Sequence, residues 1–469
     1  MVHARESAMT RPNVLFILTD DQRFDTISGL GNPAIDTPNF DRLLHRGTAF
    51  TRACIMGGSH RAVCMPSRAM VHTGRTLYHL DRQGQSIPVD HTMLGEHLRS
   101  HGYHSWGCGK WHNGKESFNR SFADGEEIYL GGMCDHWNVP AYHYDPTGAY
   151  AGTLPICVDP MTSKQVNWRD ADHVVAGKHS SELLADCGVR FLETYDHDEP
   201  FFAYVATLAP HDPRVMPQDW LDRYDLDAVH LPASFMPEHP FDNGELGVRD
   251  EKLAGFPRTE AEIREHVRDY YAMISHLDHE IGRVLDALDA SGKAEDTIVV
   301  LAGDNGLAVG RHGLMGKQNM YEHSIRVPLV MAGPGIPRGE VRDALCYLID
   351  VYPTLCDLLD LPTPASVEGR SLARVLVDAK AQPPRTVLHF AYRGVQRAVT
   401  NGRHKLIRYH VKDESRIQLF DLQSDPEELH DLSKEPEMAA LIDDLQEELR
   451  RWQTDYDDDQ PDQGAEFWR

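Results

Sequence analysis

Short runs of consecutive apolar residues recur along most of the chain and alternate with longer segments of helical spacing. Continuous apolar runs rich in β-branched and aromatic residues are typical of parallel strands that are buried on both faces. Such runs lie at residues 13–19, 103–112, 201–208, 297–302 and 329–331. Their alternation with helical segments predicts an α/β fold with a large central, mostly parallel sheet sandwiched by helices.

The helical segments carry recognisable boundary signals. Thr37 and Pro38 suit the first turn of a helix, and Gly47 suits its end. Thr259 and Glu262 form a capping-box pattern before apolar residues that recur at three- and four-residue steps. The pattern predicts helices at residues 37–47, 92–101, 181–195, 259–288 and 348–361.

Two long segments show little periodicity. Residues 114–169 are rich in Gly, Asp, His and aromatic side chains, which indicates an irregular but ordered and functional insertion. Residues 215–258 are acidic and rich in proline, and we expect them to wrap the surface.

The pattern changes near residue 381. Short strands at residues 397–399, 405–409 and 417–422 are followed by a helical segment at residues 437–452. We therefore expect a main domain of residues 1–380 and a small C-terminal subdomain of residues 381–469, built from an antiparallel sheet plus a helix. The charge-rich residues 455–462 are typical of a solvated tail.

Composition narrows the function. The chain has 469 residues, of which 41% are hydrophobic, and 47 basic against 72 acidic residues give a net charge of −25. This balance argues against nucleic acid or an anionic membrane as a partner. The eight cysteines include no Cys-x-x-Cys pair, and the polar N-terminus has no apolar signal core, so we expect a cytoplasmic, bacterial protein.

Chemically active side chains follow four of the predicted strands. Asp20 and Asp21 follow the first, Lys110 and His112 end the second, His211 follows the third, and Asp304 with Asn305 follows the fourth. The carboxyl ends of parallel strands share one edge of a sheet, where open α/β folds bind ligands. Three carboxylates and an amide oxygen suit a hard cation, which predicts Ca²⁺ with Mg²⁺ as the alternative.

A cysteine motif at residues 64–75 holds the candidate nucleophile. Pro66 suits the first turn of a helix, so Cys64 is expected near a helix N-terminus, where negative charge is favoured. Arg68 lies one turn further on the same face, and Gly74 suits the helix end. The simpler interpretation of Cys64 alone is a buried structural thiol beside a surface arginine.

The complete motif, Cys-x-Pro-Ser-Arg followed by Thr-Gly-Arg, resembles the signature of type I, formylglycine-dependent sulfatases of the alkaline phosphatase superfamily. The resemblance covers nearly the whole chain and departs from the family's usual leucines at Val71 and His72. It extends in the family's order over Asp20-Asp21, Gly109 to His112, Pro210-His211, Asp304 to Gly306, Lys317, Phe420 to Leu422 and Asp425-Pro426.

The resemblance implies an alkaline phosphatase-like fold and a defined chemistry. A formylglycine-generating enzyme would convert Cys64 to formylglycine, whose hydrate attacks sulfur and also contributes an oxygen to the metal site. Roles are implied for the residues around it: Arg68 activates the nucleophile, His211 and Lys317 bind sulfate and protonate the leaving alcohol, His112 removes the proton that expels sulfate, and Lys110 holds the second hydroxyl.

The substrate is expected to be a small sulfated carbohydrate. Aromatic faces stack on sugar rings, while His and Arg side chains bind hydroxyls or a carboxylate. The candidates for substrate binding are His60, Arg61, His136, Trp137, His143 and Arg214. Other aryl or alkyl sulfates, phosphate or phosphonate monoesters, and a non-catalytic sulfoglycan-binding protein with unmodified Cys64 remain alternatives, and a homo-oligomer remains open.

Overall fold

The computed structural model describes residues 11–159, 161–162, 164–459 and 464–468. The first ten residues of the polar N-terminus, and residues 460–462 of the predicted solvated tail, lie outside the described residues.

The strands are short and spread over the whole chain. They are β1 (Asn13–Thr19), β2 (Gly47–Phe50), β3 (Ala53–Cys54), β4 (Gly57–Gly58), β5 (His104–Lys110), β6 (Asp124–Tyr129), β7 (Asn138–Ala141), β8 (Thr153–Cys157), β9 (Val166–Asp170), β10 (His173–Ala176), β11 (Phe201–Ala206), β12 (Thr297–Gly303), β13 (Leu329–Ala332), β14 (Glu340–Arg342), β15 (Cys346–Tyr347), β16 (Leu388–Tyr392), β17 (Gln396–Thr400), β18 (His404–Val411) and β19 (Glu414–Asp421).

The helices range from one turn to more than eight turns. They are α1 (Pro38–Arg46), α2 (Cys64–Thr73), α3 (Leu94–Ser100), α4 (Lys115–Ser121), α5 (Ser180–Thr194), α6 (Gln218–Leu221), α7 (Glu260–Ala290), α8 (Glu322–Ile325), α9 (Val351–Leu358), α10 (Ala373–Val377), α11 (Ala439–Asp455) and α12 (Ala465–Trp468). None of the helices in the described part of the chain has the length and apolar character needed to cross a membrane.

The central sheet confirms the predicted α/β class. Its eight strands lie in the order β14-β2-β13-β12-β1-β11-β5-β6, and only the two pairs made by β13 are antiparallel. Residues of β1 alternate between two hydrophobic cores, with Phe16 on one face of the sheet and Leu15 and Ile17 on the other. Burial on both faces explains why this strand is continuously apolar.

The prediction of an irregular insertion at residues 114–169 is wrong. The segment contains α4, the sheet-edge strand β6, the β8–β9 hairpin and β7, which pairs with β10. Strand β6 reads Asp-Gly-Glu-Glu-Ile-Tyr and lies at the edge of the central sheet, where it pairs with β5 and is bridged to Tyr142 through Ile128. An edge strand does not need the continuous apolar run of a central strand.

The C-terminal sheet has the order β19-β18-β17-β16-β4, and its successive pairs are antiparallel except β16 with β4. Strand β16 is absent from the sequence prediction. Strand β4 comes from the residues just before α2, so this sheet draws one strand from the N-terminal part of the chain. The division at residue 380 stays a prediction.

The charged segment at residues 455–459 is not simply a solvated tail. Asp458 accepts hydrogen bonds from Nε and Nη2 of Arg397 at 2.6 Å each, and both side chains are fully buried. The expectation fails because the partner of Asp458 lies on β17, which is distant in sequence. A run of acidic residues does not show which of its members has such a partner.

Candidate active site

The ends of β1 and β12 bring the predicted carboxylates together. These strands are parallel, with Thr19 opposite Gly303, so Asp20 and Asp304 begin adjacent loops. The Asp304 amide donates to the Thr19 carbonyl at 2.9 Å, and the Asp21 amide donates to Asp304 Oδ1 at 3.0 Å. The structure thus confirms that these strand ends meet at one edge of the sheet.

Buried cations and an amide surround the carboxylates. Lys110 Nζ donates to Asp20, Lys317 Nζ donates to Asp21, and Arg68 Nε donates to Asp304 Oδ2 at 2.8 Å. Asn305 Nδ2 donates to Asp21 Oδ1 at 2.7 Å. Three buried cationic side chains therefore offset the charge of the three carboxylates, in a chain whose net charge is strongly negative.

The donor set of this cluster fits a hard cation. Asp20 Oδ1, Asp21 Oδ2 and Asn305 Oδ1 are buried oxygens with no hydrogen-bond partner among the described residues. Burial, and then the negative charge of Asp20, raise the pKa of Asp304 to about 7. Buried oxygens without partners are costly, whereas Ca²⁺ and Mg²⁺ bind such carboxylate and amide oxygens.

Cys64 is the first residue of α2 and faces the cluster. Its side chain is buried, with Sγ 3.4 Å from His112 Nδ1 and 3.6 Å from Lys110 Nζ. Pro66 lies in the first turn, and Gly74 ends the helix with φ of 66°, as the motif predicts. Burial raises the pKa of the Cys64 thiol to about 11, so the unmodified side chain is a protonated and weak nucleophile at neutral pH.

His112 lies beside Cys64, and its surroundings favour the neutral imidazole. Burial, reinforced by the charge of Lys110, lowers the pKa of His112 far below its usual range. Its backbone has φ of 69°, which is rare for a residue other than glycine and is common at functional sites. A Cβ at Gly132 would lie 2.9 Å from His112 Nε2, so glycine is needed there. Gly132 was missed, since only the folded contact reveals it.

His211 lies beside Asp21. Its Nε2 is 3.7 Å from Asp21 Oδ2, and its Nδ1 donates to the Asp212 carbonyl at 2.8 Å. That bond leaves Nε2 as the ring nitrogen that faces the cluster. Asp212 pairs in turn with Arg249, which fixes the turn that carries His211.

The loop that carries Lys317 is fixed by a segment expected to wrap the surface. Glu251 is buried and accepts hydrogen bonds from the amides of Met315 and Gly316 at 2.9 and 2.8 Å. Asp250 accepts from Gln318 Nε2 at 2.6 Å. The expectation for residues 215–258 is therefore wrong at these two acids, which were missed because their partners are distant in sequence.

Comparison with known proteins agrees with this geometry. A family model described as "Sulfatase" matches residues 12–361, and one described as "N-sulphoglucosamine sulphohydrolase, C-terminal" matches residues 310–455. The chain belongs to the sulfatase family. It is a sulfuric ester hydrolase of the alkaline phosphatase superfamily.

Relatives match along nearly the whole sulfatase chain. An N-acetylglucosamine-6-O-sulfatase of Bacteroides thetaiotaomicron is 25% identical, with 97% of this chain and 88% of the relative covered. The multifunctional alkaline phosphatase superfamily protein PehA of Trinickia caryophylli is 28% identical, with 96% of both covered. A solved structure in complex with its substrate D-glucosamine-2-N,6-O-disulfate has a TM-score of 0.72 at 23% identity, covers 97% of this chain and 99% of its own, and shows the shared fold.

Some predicted substrate residues of the sulfatase have unused polar groups. Arg214 Nη1 contacts His266 Nδ1 at 2.9 Å, while its Nε and Nη2 are buried and have no partner among the described residues. Arg61 has 65% of its side chain exposed and lies 3.4 Å from Glu245. His60 and Trp137 are half-buried. These four residues remain candidates for substrate binding.

The structure gives His136 and His143 other contacts. His136 is buried, with Nδ1 2.6 Å from Ser180 Oγ and Nε2 3.0 Å from the His211 carbonyl, so it supports His211 and has no free ring nitrogen for a sugar. His143 contacts Asp172 and His173, away from the residues around Cys64. Their assignment to substrate binding stays a prediction, without support from these contacts.

Proposed function

We propose that this sulfatase hydrolyses the sulfate ester of a carbohydrate through a formylglycine formed from Cys64, and releases inorganic sulfate. The observation that carries the proposal is the position of Cys64 Sγ between His112 and Lys110, beside buried oxygens that lack partners. A thiol with a pKa of about 11 suits neither thiolate catalysis nor a simple structural role among so many charged groups.

Residues Asp20, Asp21, Asp304 and Asn305, with an oxygen of modified residue 64, would hold the cation. We favour Ca²⁺ over Mg²⁺ because Ca²⁺ tolerates irregular coordination by protein oxygens. When bound, the cation polarises a sulfate oxygen and favours ionisation of the attacking hydroxyl.

The chain's own residues then divide the proton transfers. Formylglycine hydrate supplies one hydroxyl that attacks sulfur and a second that is deprotonated later. His112 is neutral and 3.4 Å from Sγ, so it can accept that second proton, while Lys110 and Arg68 stabilise negative charge beside it. His211 Nε2 and Lys317 Nζ both lie beside Asp21, and we assign them to sulfate binding and to protonation of the leaving alcohol.

Three observations support a carbohydrate substrate. The unpartnered nitrogens of Arg214 suit an anionic or hydroxyl group of a sugar, and half-buried Trp137 offers an aromatic face. A relative that matches almost the whole chain is an N-acetylglucosamine-6-O-sulfatase. His60 and Arg61, which lie just before Cys64 in the sequence, would also contact the sugar.

Hydrolysis of phosphate or phosphonate monoesters is the second candidate, because the relative PehA is described as a multifunctional protein of the same superfamily. Parallel assays on the sulfate and phosphate monoesters of one sugar, with an aryl sulfate beside them, separate the candidates. We expect the sugar sulfate to give the highest kcat/KM. Inert sugar sulfates with rapid aryl sulfate cleavage would contradict the carbohydrate assignment, and faster phosphate hydrolysis would favour the second candidate.

The proposal includes a maturation partner and a cellular setting. A formylglycine-generating enzyme would convert Cys64, which requires coexpression in any host that lacks it. The cytoplasmic, bacterial setting stays a prediction. So does the division into a catalytic domain of residues 1–380 and a C-terminal subdomain of residues 381–469, and a homo-oligomer stays an alternative.

A further inference from the structure

A second group of metal-binding side chains lies on the β7–β10 pair. His143 follows β7, while Asp172 and His173 lie at the start of β10, and Ala141 is opposite His173 in this antiparallel pair. The His143 amide donates to Asp172 Oδ2 at 3.1 Å. The backbone pairing therefore fixes the two histidines and the aspartate side by side.

The donor atoms are close enough to share one ion. His143 Nδ1 lies 3.2 Å from Asp172 Oδ1, His173 Nδ1 contacts the same carboxylate, and the two imidazole centroids are 4.2 Å apart. One ligand atom from each residue lies within 4.8 Å of the others. Ligands that each bind one zinc ion at about 2.0–2.2 Å are separated by distances of this size.

Glu127 completes the arrangement from a third strand. Its Oε2 lies 2.8 Å from His173 Nε2, the nitrogen that faces away from Asp172. The register between β5 and β6 shifts at this point, which leaves Glu127 unpaired with φ of 46°. A carboxylate on the far nitrogen of a histidine is the usual way in which a metal-binding imidazole is oriented.

We propose that His143, His173 and Asp172 form a binding site for Zn²⁺ or a similar first-row divalent cation, with Glu127 as the positioning residue for His173. Two imidazoles favour such an ion over Ca²⁺, which prefers an all-oxygen set like that beside Cys64. The site is open, since 75% of the His143 side chain is exposed, so water takes the remaining coordination positions.

An ion bound at this site would stabilise β7, the strand next to His136, which contacts the His211 carbonyl. His136 precedes β7 and contacts the His211 carbonyl, whereas His143 follows the same strand. A bound ion would tie β6, β7 and β10 together at the far end of that short strand. The expected role is to stabilise this part of the fold, and it does not depend on the proposed catalytic chemistry.

Titration with Co²⁺ tests the proposal directly, because its absorption bands report coordination by nitrogen. Full-length protein is first saturated with Ca²⁺ to occupy the all-oxygen cluster. We expect one equivalent of Co²⁺ to give visible absorption, and Zn²⁺ to displace it. His143→Ala and His173→Ala should each weaken binding about 100-fold, and Glu127→Gln about 10-fold.

His101→Ala is the matched control, because His97 and His101 form another imidazole pair, with centroids 4.4 Å apart. That variant should bind Co²⁺ as the unaltered protein does. If His173→Ala fails to fold, Co²⁺ binding by His143→Ala still tests the site, because His143 is exposed and its replacement should not disturb folding. Equal Co²⁺ binding by His143→Ala and the unaltered protein, or no absorption bands in the latter, would overturn the site.

Discussion

At the residue scale, the candidate active site contains buried polar atoms without hydrogen-bond partners among the described residues. Three buried oxygens beside Cys64, and two nitrogens of Arg214, have no partner among the described residues. Unpaired buried groups destabilise a fold unless a ligand satisfies them. The sequence indicates that the candidate metal-binding side chains lie together because they follow buried strands, but it does not show which of their atoms have no hydrogen-bond partner.

The Asn305 oxygen gives the first prediction. Asn305→Ala should lower the Ca²⁺ affinity of the protein about 10-fold or more, because a ligand oxygen is lost while the carboxylates remain. Isothermal titration calorimetry measures the affinity. Asn401→Ala changes an exposed asparagine and should leave it unaltered. Unchanged Ca²⁺ binding by Asn305→Ala would remove this residue from the metal site.

Arg214 gives the second prediction. Arg214→Gln should lower kcat/KM for the preferred sugar sulfate about 10-fold or more, and Trp137→Ala should act in the same direction, because a donor or a stacking face is lost. An aryl sulfate has a better leaving group and should lose less. Arg223→Gln, which alters an exposed arginine, is the control. If Arg214→Gln and Trp137→Ala hydrolyse the sugar sulfate as fast as the unaltered enzyme, these residues do not bind the substrate.

At the element scale, loops that are distant in sequence hold the groups to which we assign catalytic roles. The apolar runs predict β1, β11 and β12 nearly to the residue, because central strands are buried on both faces. Edge strand β6 and the acids at residues 250–251 escape prediction, since their partners belong to other elements. Thr259 caps α7 as predicted, but the Glu262 side chain accepts from the Gly255 amide and does not complete the capping box.

Glu251 gives the third prediction. Its pairing with Arg258 is buried, so Glu251→Ala should destabilise the protein by about 3–5 kcal/mol because an unpaired charge remains. Movement of the Lys317 loop should also lower kcat about 100-fold. Thermal unfolding and kinetics measure both effects.

Two variants separate the contributions of Glu251. Glu251→Gln keeps an acceptor for the loop amides and should be milder, and Glu265→Ala, at an exposed position of α7, should be neutral. An unaltered kcat in Glu251→Ala would show that Lys317 does not depend on this contact.

At the scale of the whole molecule, the C-terminal sheet includes a strand that directly precedes the helix of Cys64. Strand β4 pairs with β16 of the C-terminal sheet and is followed by α2, which begins at Cys64. Arg397 on β17 binds Asp458, and Trp468 Nε1 donates to the same carboxylate at 3.1 Å. The C-terminal segment is thereby fastened to the sheet that supports the helix of Cys64.

This fastening gives the fourth prediction. Asp458→Ala should lower the free energy of unfolding by about 3–5 kcal/mol, because the Arg397 guanidinium is left buried without its carboxylate. Urea denaturation measures the loss, and Asp455→Ala, which alters an exposed acid three residues earlier, should change little. Equal stability of the two variants would show that the buried pair contributes no more than a surface charge.

The state of residue 64 tests the central claim most directly. Protein made with and without a formylglycine-generating enzyme is digested, and the peptide that spans residue 64 is analysed by mass spectrometry beside an assay of sulfate release. We predict that turnover rises in proportion to the fraction of peptide in which the side chain CH₂SH has become CHO. Full sulfatase activity in a preparation whose residue 64 is entirely thiol would contradict the account.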